Sequence, residues 1–101
     1  MKQVIVRYKV HADRGQENID FVKAVFDELK STSPTGIRYA TFVAEDGVSF
    51  THIASTETAD SSNPLAATDA FKAFRADIRD RCEIPPATTT VSLVGSFGFL
   101  S

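Results

Sequence analysis

Gly36–Ser55, GIRYATFVAEDGVSFTHIAS, is the stretch whose reading decides the fold. Two strand-like runs flank Asp46-Gly47, the dipeptide that most readily supplies the positive φ angles of a two-residue type I′ turn, and the segment reads as a β-hairpin. With Asp46-Gly47 as the whole turn, Glu45 pairs with Val48, Val43 with Phe50, Thr41 with His52 and Tyr39 with Ala54. One face then carries Ile37, Tyr39, Thr41, Val43, Phe50, His52 and Ala54. The other carries Arg38, Ala40, Phe42, Ala44, Ser49, Thr51, Ile53 and Ser55. A three-residue turn, Glu45 to Gly47 with a bulge, would instead set His52 opposite Ala40 and beside Arg38 and Phe42. The two-residue turn is preferred because it sorts the large apolar side chains onto one side.

Working outward, Lys2 to His11 alternates, with Val4, Val6, Tyr8 and Val10 on one side, and reads as a half-buried strand. Asp13 and Gln16 resemble a capping box, and Ile19, Val22, Val25, Phe26 and Leu29 recur at helical spacing, predicting a helix over 14–30 that ends before Ser31-Thr32-Ser33-Pro34. Gly15 is expected only to weaken its first turn. On the far side of the hairpin, Thr56 to Asn63, TETADSSN, has no periodicity and reads as a mobile loop. Asn63-Pro64 then looks like the N-cap and first residue of a second helix, with Ala67, Ala70, Phe71, Phe74, Ile78 and Cys82 as its apolar stripe and its end near Glu83, before Pro85-Pro86. Ala87 to Leu100 reads as the last strand, interrupted at Gly95.

The order β-α-β-β-α-β is the ferredoxin-like arrangement, an α+β fold with an antiparallel four-stranded sheet and two helices on one face. Val4, Val6 and Tyr8 would lie under the helices. The opposite face would carry Ile5, Phe42 and Ile53, apolar side chains that a second copy packed sheet to sheet would cover, and a homodimer is expected.

A length of 101 residues suits one domain spanning 1–101 with a single core. The apolar share of 43% and charged share of 24% are those of an ordinary globular protein. A net charge of -2 with scattered Lys and Arg argues against a nucleic-acid partner. No apolar stretch has the length to span a bilayer, so no membrane partner is expected. One cysteine, Cys82, excludes an intrachain disulfide, and the chain enters its first strand without a charged-then-apolar leader, which together predict a cytoplasmic location. His11, His52 and Cys82 show no ligand spacing, so no metal is expected. Gly95-Ser96-Phe97-Gly98 lies in a strand pattern and is not a phosphate loop.

The YxxFxxxDGxxFxH hairpin (Tyr39, Phe42, Asp46, Gly47, Phe50, His52), the helix start Asn63-Pro64-Leu65, and Arg81-Cys82-Glu83 followed by Pro85-Pro86 resemble small bacterial members of the dimeric α/β-barrel superfamily, which includes the antibiotic biosynthesis monooxygenases. The resemblance covers nearly the whole chain. It implies two subunits packed sheet against sheet, with ligands between each sheet and its helices. It also implies activities that range from cofactor-free oxygenases and isomerases to haem-degrading enzymes and proteins without catalysis. The chain has no tryptophan and so departs from the Asn-Trp-His pattern of the haem-degrading branch.

His52 is the leading candidate for chemistry, since an imidazole titrates near neutrality and the preferred register puts it under the helices beside Phe50 and Tyr39. The plainer reading is a core histidine that hydrogen-bonds a neighbour. Tyr39 and Tyr8 are candidate donors to an oxyanion or, alternatively, packing residues with wet hydroxyls. Phe71 and Phe74, with Tyr8 and Phe50, are candidate ligand contacts or simply core. Arg38 reads as a solvent-facing strand residue, Asp46 as turn chemistry, and Cys82 as a small buried apolar residue. Two functions follow. One is a cofactor-free oxygenase or isomerase acting on a small aromatic or polyketide-like molecule, with His52 taking a proton and Tyr39 or Tyr8 stabilising the enolate. The other is a non-catalytic dimeric module that binds a small apolar ligand or regulates a partner.

Overall fold

The computed structural model of the protein describes residues 2–57 and 63–99. Strand β1, Lys2–Val10, is followed by helix α1, Gly15–Thr32, the hairpin β2, Ile37–Val43, and β3, Ser49–Thr56, two short helices α2, Asp69–Ala76, and α3, Ile78–Arg81, and strand β4, Cys82–Val91. The strands form one antiparallel sheet in the order β2-β3-β1-β4, the ferredoxin-like arrangement. Its helix-covered face buries Tyr8, Val10 and Phe50 against Val22 and Val25 of α1 and Phe74 of α2.

The hairpin has the expected register, with Val43 opposite Phe50, Thr41 opposite His52 and Tyr39 opposite Ala54. Its turn is of another kind. A type I′ turn needs positive φ at both central residues, and here only Gly47, at φ 76°, has it. The loop is closed instead by hydrogen bonds from Gly47 N to Ala44 O (3.0 Å) and Ala44 N to Ser49 O (2.9 Å). The Asp46 carboxylate accepts from the amides of Val48 (2.9 Å) and Ser49 (2.8 Å) and from the Ser49 hydroxyl (2.6 Å). The Ser49 hydroxyl and these amides hold Asp46 below the usual carboxylate range. The wider loop leaves the pairing unchanged because Ala44 and Ser49 still face each other.

Helix α1 begins without the expected capping box: Arg14 is the N-cap and no side chain bonds the free amides there. It runs to Thr32 and stops at Ser33, whose left-handed backbone (φ 46°) lets its amide reach Leu29 O at 2.8 Å. Gly15 does more than weaken the first turn. A Cβ at this position would lie 2.4 Å from Gly47 O, so the hairpin loop is seated on the helix start at a distance only glycine permits.

The expected long second helix is broken. Asn63 Oδ1 accepts from Leu65 N (3.0 Å) and Ala66 N (3.4 Å), but it caps a single turn that buries Leu65. The helix proper starts later, where Thr68 Oγ1 accepts from Phe71 N at 3.2 Å. Glu28 of α1 takes the amides of Asp69 (3.1 Å) and Ala70 (2.9 Å), so one helix caps the other. Asp77 interrupts the run, and the chain enters β4 at Cys82, earlier than expected and through Pro85-Pro86. An edge strand tolerates these prolines because its outer amides need no ladder partner, and the register shifts between Arg7 and Val10 mark the bulge beside them.

The strand expected over 87–100 ends at Val91, which pairs with Gln3, because β1 has almost nothing left to pair with. Residues 92–99 continue without regular structure. Leu93 N donates to Gln3 Oε1 (3.0 Å) and Phe99 stacks on Phe42 (6.3 Å between ring centres), so the segment crosses the helix-free face of the sheet. Most of the predicted Thr56–Asn63 loop, residues 58–62, lies outside the described residues.

Gly15→Ala is expected to lower stability by about 1–3 kcal/mol, because helix start and hairpin loop must separate to admit the methyl group. Thermal denaturation checks this. An unchanged midpoint would mean that the loop yields freely.

Candidate functional site

A cavity of about 820 Å³ opens between the helix-covered sheet face and the helices. Val4, Val6 and Tyr8 of β1, Tyr39 of β2, and His52 and Ala54 of β3 form its sheet wall. Leu65, Phe71, Phe74 and Ile78 face them from the helical side. Among the described residues, exposed Lys2, Arg75 and Arg79 line it with exposed Glu57, so more positive than negative side chains stand at its edge although the chain as a whole is acidic.

Pairing Thr41 and Val6 with His52 across the ladder sets the imidazole in the middle of the wall. Its Nε2 lies 2.7 Å from Tyr8 Oη, and its Nδ1 bonds Tyr39 Oη and stands 3.1 Å from Thr41 Oγ1. Three rings enclose it, with centres at 5.2 Å (Tyr8), 5.4 Å (Phe74) and 5.6 Å (Tyr39). The chain of bonds runs on beneath the wall. Asn18 Nδ2 donates to Tyr8 Oη at 2.9 Å, and Arg81 Nε donates to Asn18 Oδ1 at 3.1 Å. Arg81 is fully buried, with its guanidinium 4.5 Å from the Phe21 ring centre and 5.3 Å from that of Phe74, and its Nη2 bonds the Phe74 carbonyl.

Burial sets the protonation states. It pushes His52 down to about 4, so the imidazole is neutral at pH 7. It pushes Tyr39 up to about 12 and raises Tyr8 as well, so both phenols keep their protons. Burial also lowers Arg81, whose ordinary value is so high that the guanidinium stays charged, and raises the Cys82 thiol. The cavity wall thus presents neutral hydrogen-bonding groups and apolar surface.

Of the residues singled out in the sequence, His52, Tyr39, Tyr8, Phe71 and Phe74 meet at this cavity. Phe50 does not reach it. It is buried behind Tyr8, stacked at 5.4 Å with the rings 9° from parallel. Ile5, Phe42 and Ile53 lie on the opposite face, where Ala40, Ile53, Ile5 and Thr89 form one row across all four strands. Arg38 is exposed, as expected, and Cys82 is buried. Sequence reasoning missed Asn18, Arg81 and Thr41. Asn18 precedes Val22 by four residues and Arg81 follows Ile78 by three, so a polar residue standing in each helix's apolar stripe was the available signal. Among the described residues no group of three or more His, Cys, Asp or Glu is placed to hold a metal, and no helix is long and apolar enough to cross a membrane.

No family model and no curated protein sequence matches the chain. Solved structures do. A crystal structure of an antibiotic biosynthesis monooxygenase superposes with a TM-score of 0.74 at 16% identity, covering 94% of this chain and 100% of that one. A protein from Mycobacterium tuberculosis gives 0.74 at 16% identity over 94% and 96% of the two chains. SnoaB, a cofactor-independent oxygenase from Streptomyces nogalater, gives 0.61 at 15% identity over 96% of each. The chain therefore has the fold of the antibiotic biosynthesis monooxygenase-like proteins, the fold that its hairpin and element order imply.

Stability should depend on pH through His52. Above pH 6.5 the imidazole is neutral in both folded and unfolded chains. As pH falls from 6.5 towards 4 the unfolded chain binds a proton that the folded chain refuses. Stability is then lost at up to about 1.4 kcal/mol per pH unit, on the order of 3 kcal/mol in all. Urea unfolding of the wild type and His52→Gln at successive pH values isolates this term, since the carboxylates are common to both. Parallel curves between pH 7 and 5 would show that the imidazole is solvated.

Proposed function

We propose that the protein binds a small aromatic compound in the cavity beside His52 and Tyr39 and transforms it without a cofactor, as an oxygenase or isomerase. The observation that carries this reading is a cavity of about 820 Å³, large enough for a polycyclic molecule, whose apolar wall holds the uncharged Tyr8–His52–Tyr39 chain. The fold shared with SnoaB, itself described as a cofactor-independent oxygenase, supports it.

In this reading an oxygen of the ligand docks against Tyr39, while Tyr8, Phe71 and Phe74 pack its rings. When a carbon conjugated with that ligand carbonyl loses its proton, negative charge gathers on the oxygen, and a hydroxyl donor in a dry wall stabilises it far more than water would. The depressed basicity of His52 makes it a poor acceptor for that proton, so its part is to hold Tyr39, and the proton leaves through the open side of the cavity. In the oxygenase version the enolate carbon adds dioxygen. Protonation gives a hydroperoxide, which loses water to leave a carbonyl.

Among the described residues, the surplus of Lys2, Arg75 and Arg79 over Glu57 at the edge favours a ligand with an acidic group at its far end. The weak basicity of His52 also favours a second reading, in which the cavity binds such a ligand without chemistry, as a regulatory or carrier module.

Oxygen uptake with an anthrone, a tricyclic ketone with an acidic CH2 conjugated to its carbonyl, separates the readings. The catalytic one expects uptake that falls roughly a hundredfold in Tyr39→Phe. Ligand-induced shifts of the His52 and Tyr39 resonances with no uptake would leave the binding module. If the anthrone produces neither, both readings fall.

The protein is further proposed to act as a homodimer through the sheet face carrying Ile5, Phe42 and Ile53, joined by the 92–99 segment. Phe42 is 40% exposed, Leu93 66% and Phe97 101%, an apolar surface that packing against a second copy would remove from water. Light scattering should give twice the 11.0 kDa chain mass, and Phe42→Asp should yield a monomer or an insoluble chain. A wild-type monomer at micromolar concentration would rule the dimer out.

A further inference from the structure

Arg81 and Asn18 lie beneath the cavity wall, and neither lines it. Their chemistry nevertheless fixes the direction of every hydrogen bond in the wall. An arginine has only donors, so the Asn18 side chain must turn its oxygen to Arg81 Nε and its nitrogen to Tyr8. An amide nitrogen only donates, so the Tyr8 oxygen accepts there and its own proton is left for His52 Nε2 at 2.7 Å. Nε2 must then be the bare nitrogen of the neutral ring. The ring hydrogen sits on Nδ1 and is donated to the oxygen of Tyr39 or Thr41. Tyr39 accepts from the ring and from the Thr41 hydroxyl, which leaves its own hydroxyl proton for the cavity it lines. The opposite tautomer would place Tyr8 between two donors, with its own proton unpartnered in a buried site.

The anchor is rigid. Arg81 is 0% exposed and clamped between Phe21 and Phe74, with Nη2 on the Phe74 carbonyl. Nη1 has no hydrogen-bond partner among the described residues. A position needed only for packing is commonly served as well by an apolar side chain, whereas a buried guanidinium left one bond short gives up stability for what it holds in place.

We propose that Asn18 and Arg81 are positioning residues that lock His52 in its Nδ1–H tautomer and so aim the Tyr39 hydroxyl proton into the cavity. The site therefore selects ligands that present an accepting oxygen, such as a carbonyl, enolate or phenolate, over ligands that can only donate. The ligand half of this proposal rests on the cavity-binding reading, and the tautomer half does not.

Asn18→Asp provides the test, because it keeps the shape and reverses the logic. A carboxylate accepts from both Arg81 and Tyr8, so Tyr8 turns its proton away from His52. Nε2 then takes the ring hydrogen, and Nδ1 accepts the proton of Tyr39. Nitrogen-15 NMR of histidine-labelled protein, recorded well above the ordinary histidine pKa, should show a protonated Nδ1 in the wild type and a protonated Nε2 in the variant. In Arg81→Met the amide is free to flip, and both tautomers should be populated. A wild-type ring protonated at Nε2, or a tautomer that Asn18→Asp leaves unchanged, overturns the proposal. Should Asn18→Asp fail to fold, Arg81→Met and the wild-type spectrum decide between the same outcomes. For the ligand half, fluorenone and carbazole are tricycles of one shape, the first accepting through its carbonyl and the second donating through N–H. The wild type should bind fluorenone at least about tenfold more tightly, a preference that Asn18→Asp reduces or inverts. Equal binding of the two overturns the selection. Binding of neither, with the tautomers as expected, overturns the cavity reading and leaves the positioning role supported.

Discussion

An imidazole enclosed by aromatic rings leaves two nitrogens that must each find a partner, and the protein answers that requirement with groups from every layer of the fold. Tyr8 comes from the central strand, Tyr39 and Thr41 from the edge strand, and Asn18 from the long helix. Each bond fixes one element's position relative to another. An unsatisfied buried donor costs about 1–3 kcal/mol, so sliding the hairpin by one residue or turning α1 about its axis would forfeit several such bonds together. The same enclosure holds His52 neutral and keeps both phenols protonated, so the structural demand and the chemical character of the cavity have one cause.

Much of this was legible in the sequence because it rests on local rules. The two-residue period of β1 and β3 placed Tyr8, Phe50 and His52 on one face, and the Asp46-Gly47 turn placed Thr41 and Tyr39 beside them. The turn type was not legible, since the Asp46 side chain substitutes for the second positive φ angle that the dipeptide pattern assumes. The break in the second helix was hidden for a related reason. Asn63-Pro64 is a sound helix start, but Thr68-Asp69 is another, and Glu28, forty-one residues away in the chain, decides between them by capping the later one. Asn18 and Arg81 were obscured because their place in the apolar stripes shows that each is buried but not what it bonds. Only the tertiary placement of α3 beside α1 brings them within 3.1 Å.

The sheet's two faces pose opposite problems. The helix-covered face combines a full aromatic core with a cavity, the core lying towards Val10, Val22 and Val25 and the cavity towards Val4, Ala54 and Leu65. Among the described residues the helix-free face has no layer except the 92–99 segment, which is pinned at Gln3 and Phe42 and leaves Leu93, Phe97 and Phe99 largely in water. Such a segment cannot complete a two-layer domain by itself, because its own apolar side chains add to the surface that needs cover.

The break in the second helix and the chemistry of the wall are linked through a single residue. Had the helix run unbroken to Glu83, as its apolar stripe suggests, Cys82 would close the stripe as a helical residue, with Arg81 standing in it three residues after Ile78. Instead Asp77 interrupts it, α3 makes one further turn, and Cys82 pairs with Val10 as the first residue of β4. At that change of direction Arg81 lies inward between Phe21 and Phe74, where, among the described residues, its side-chain hydrogen-bond partner is Asn18. The early entry into the sheet in turn requires β4 to carry Pro85-Pro86, which an edge strand with a bulge accommodates and a central strand would not. The edge position of β4, the broken helix and the orientation of the hydrogen bonds under the cavity are thus consequences of where the chain leaves its last helix.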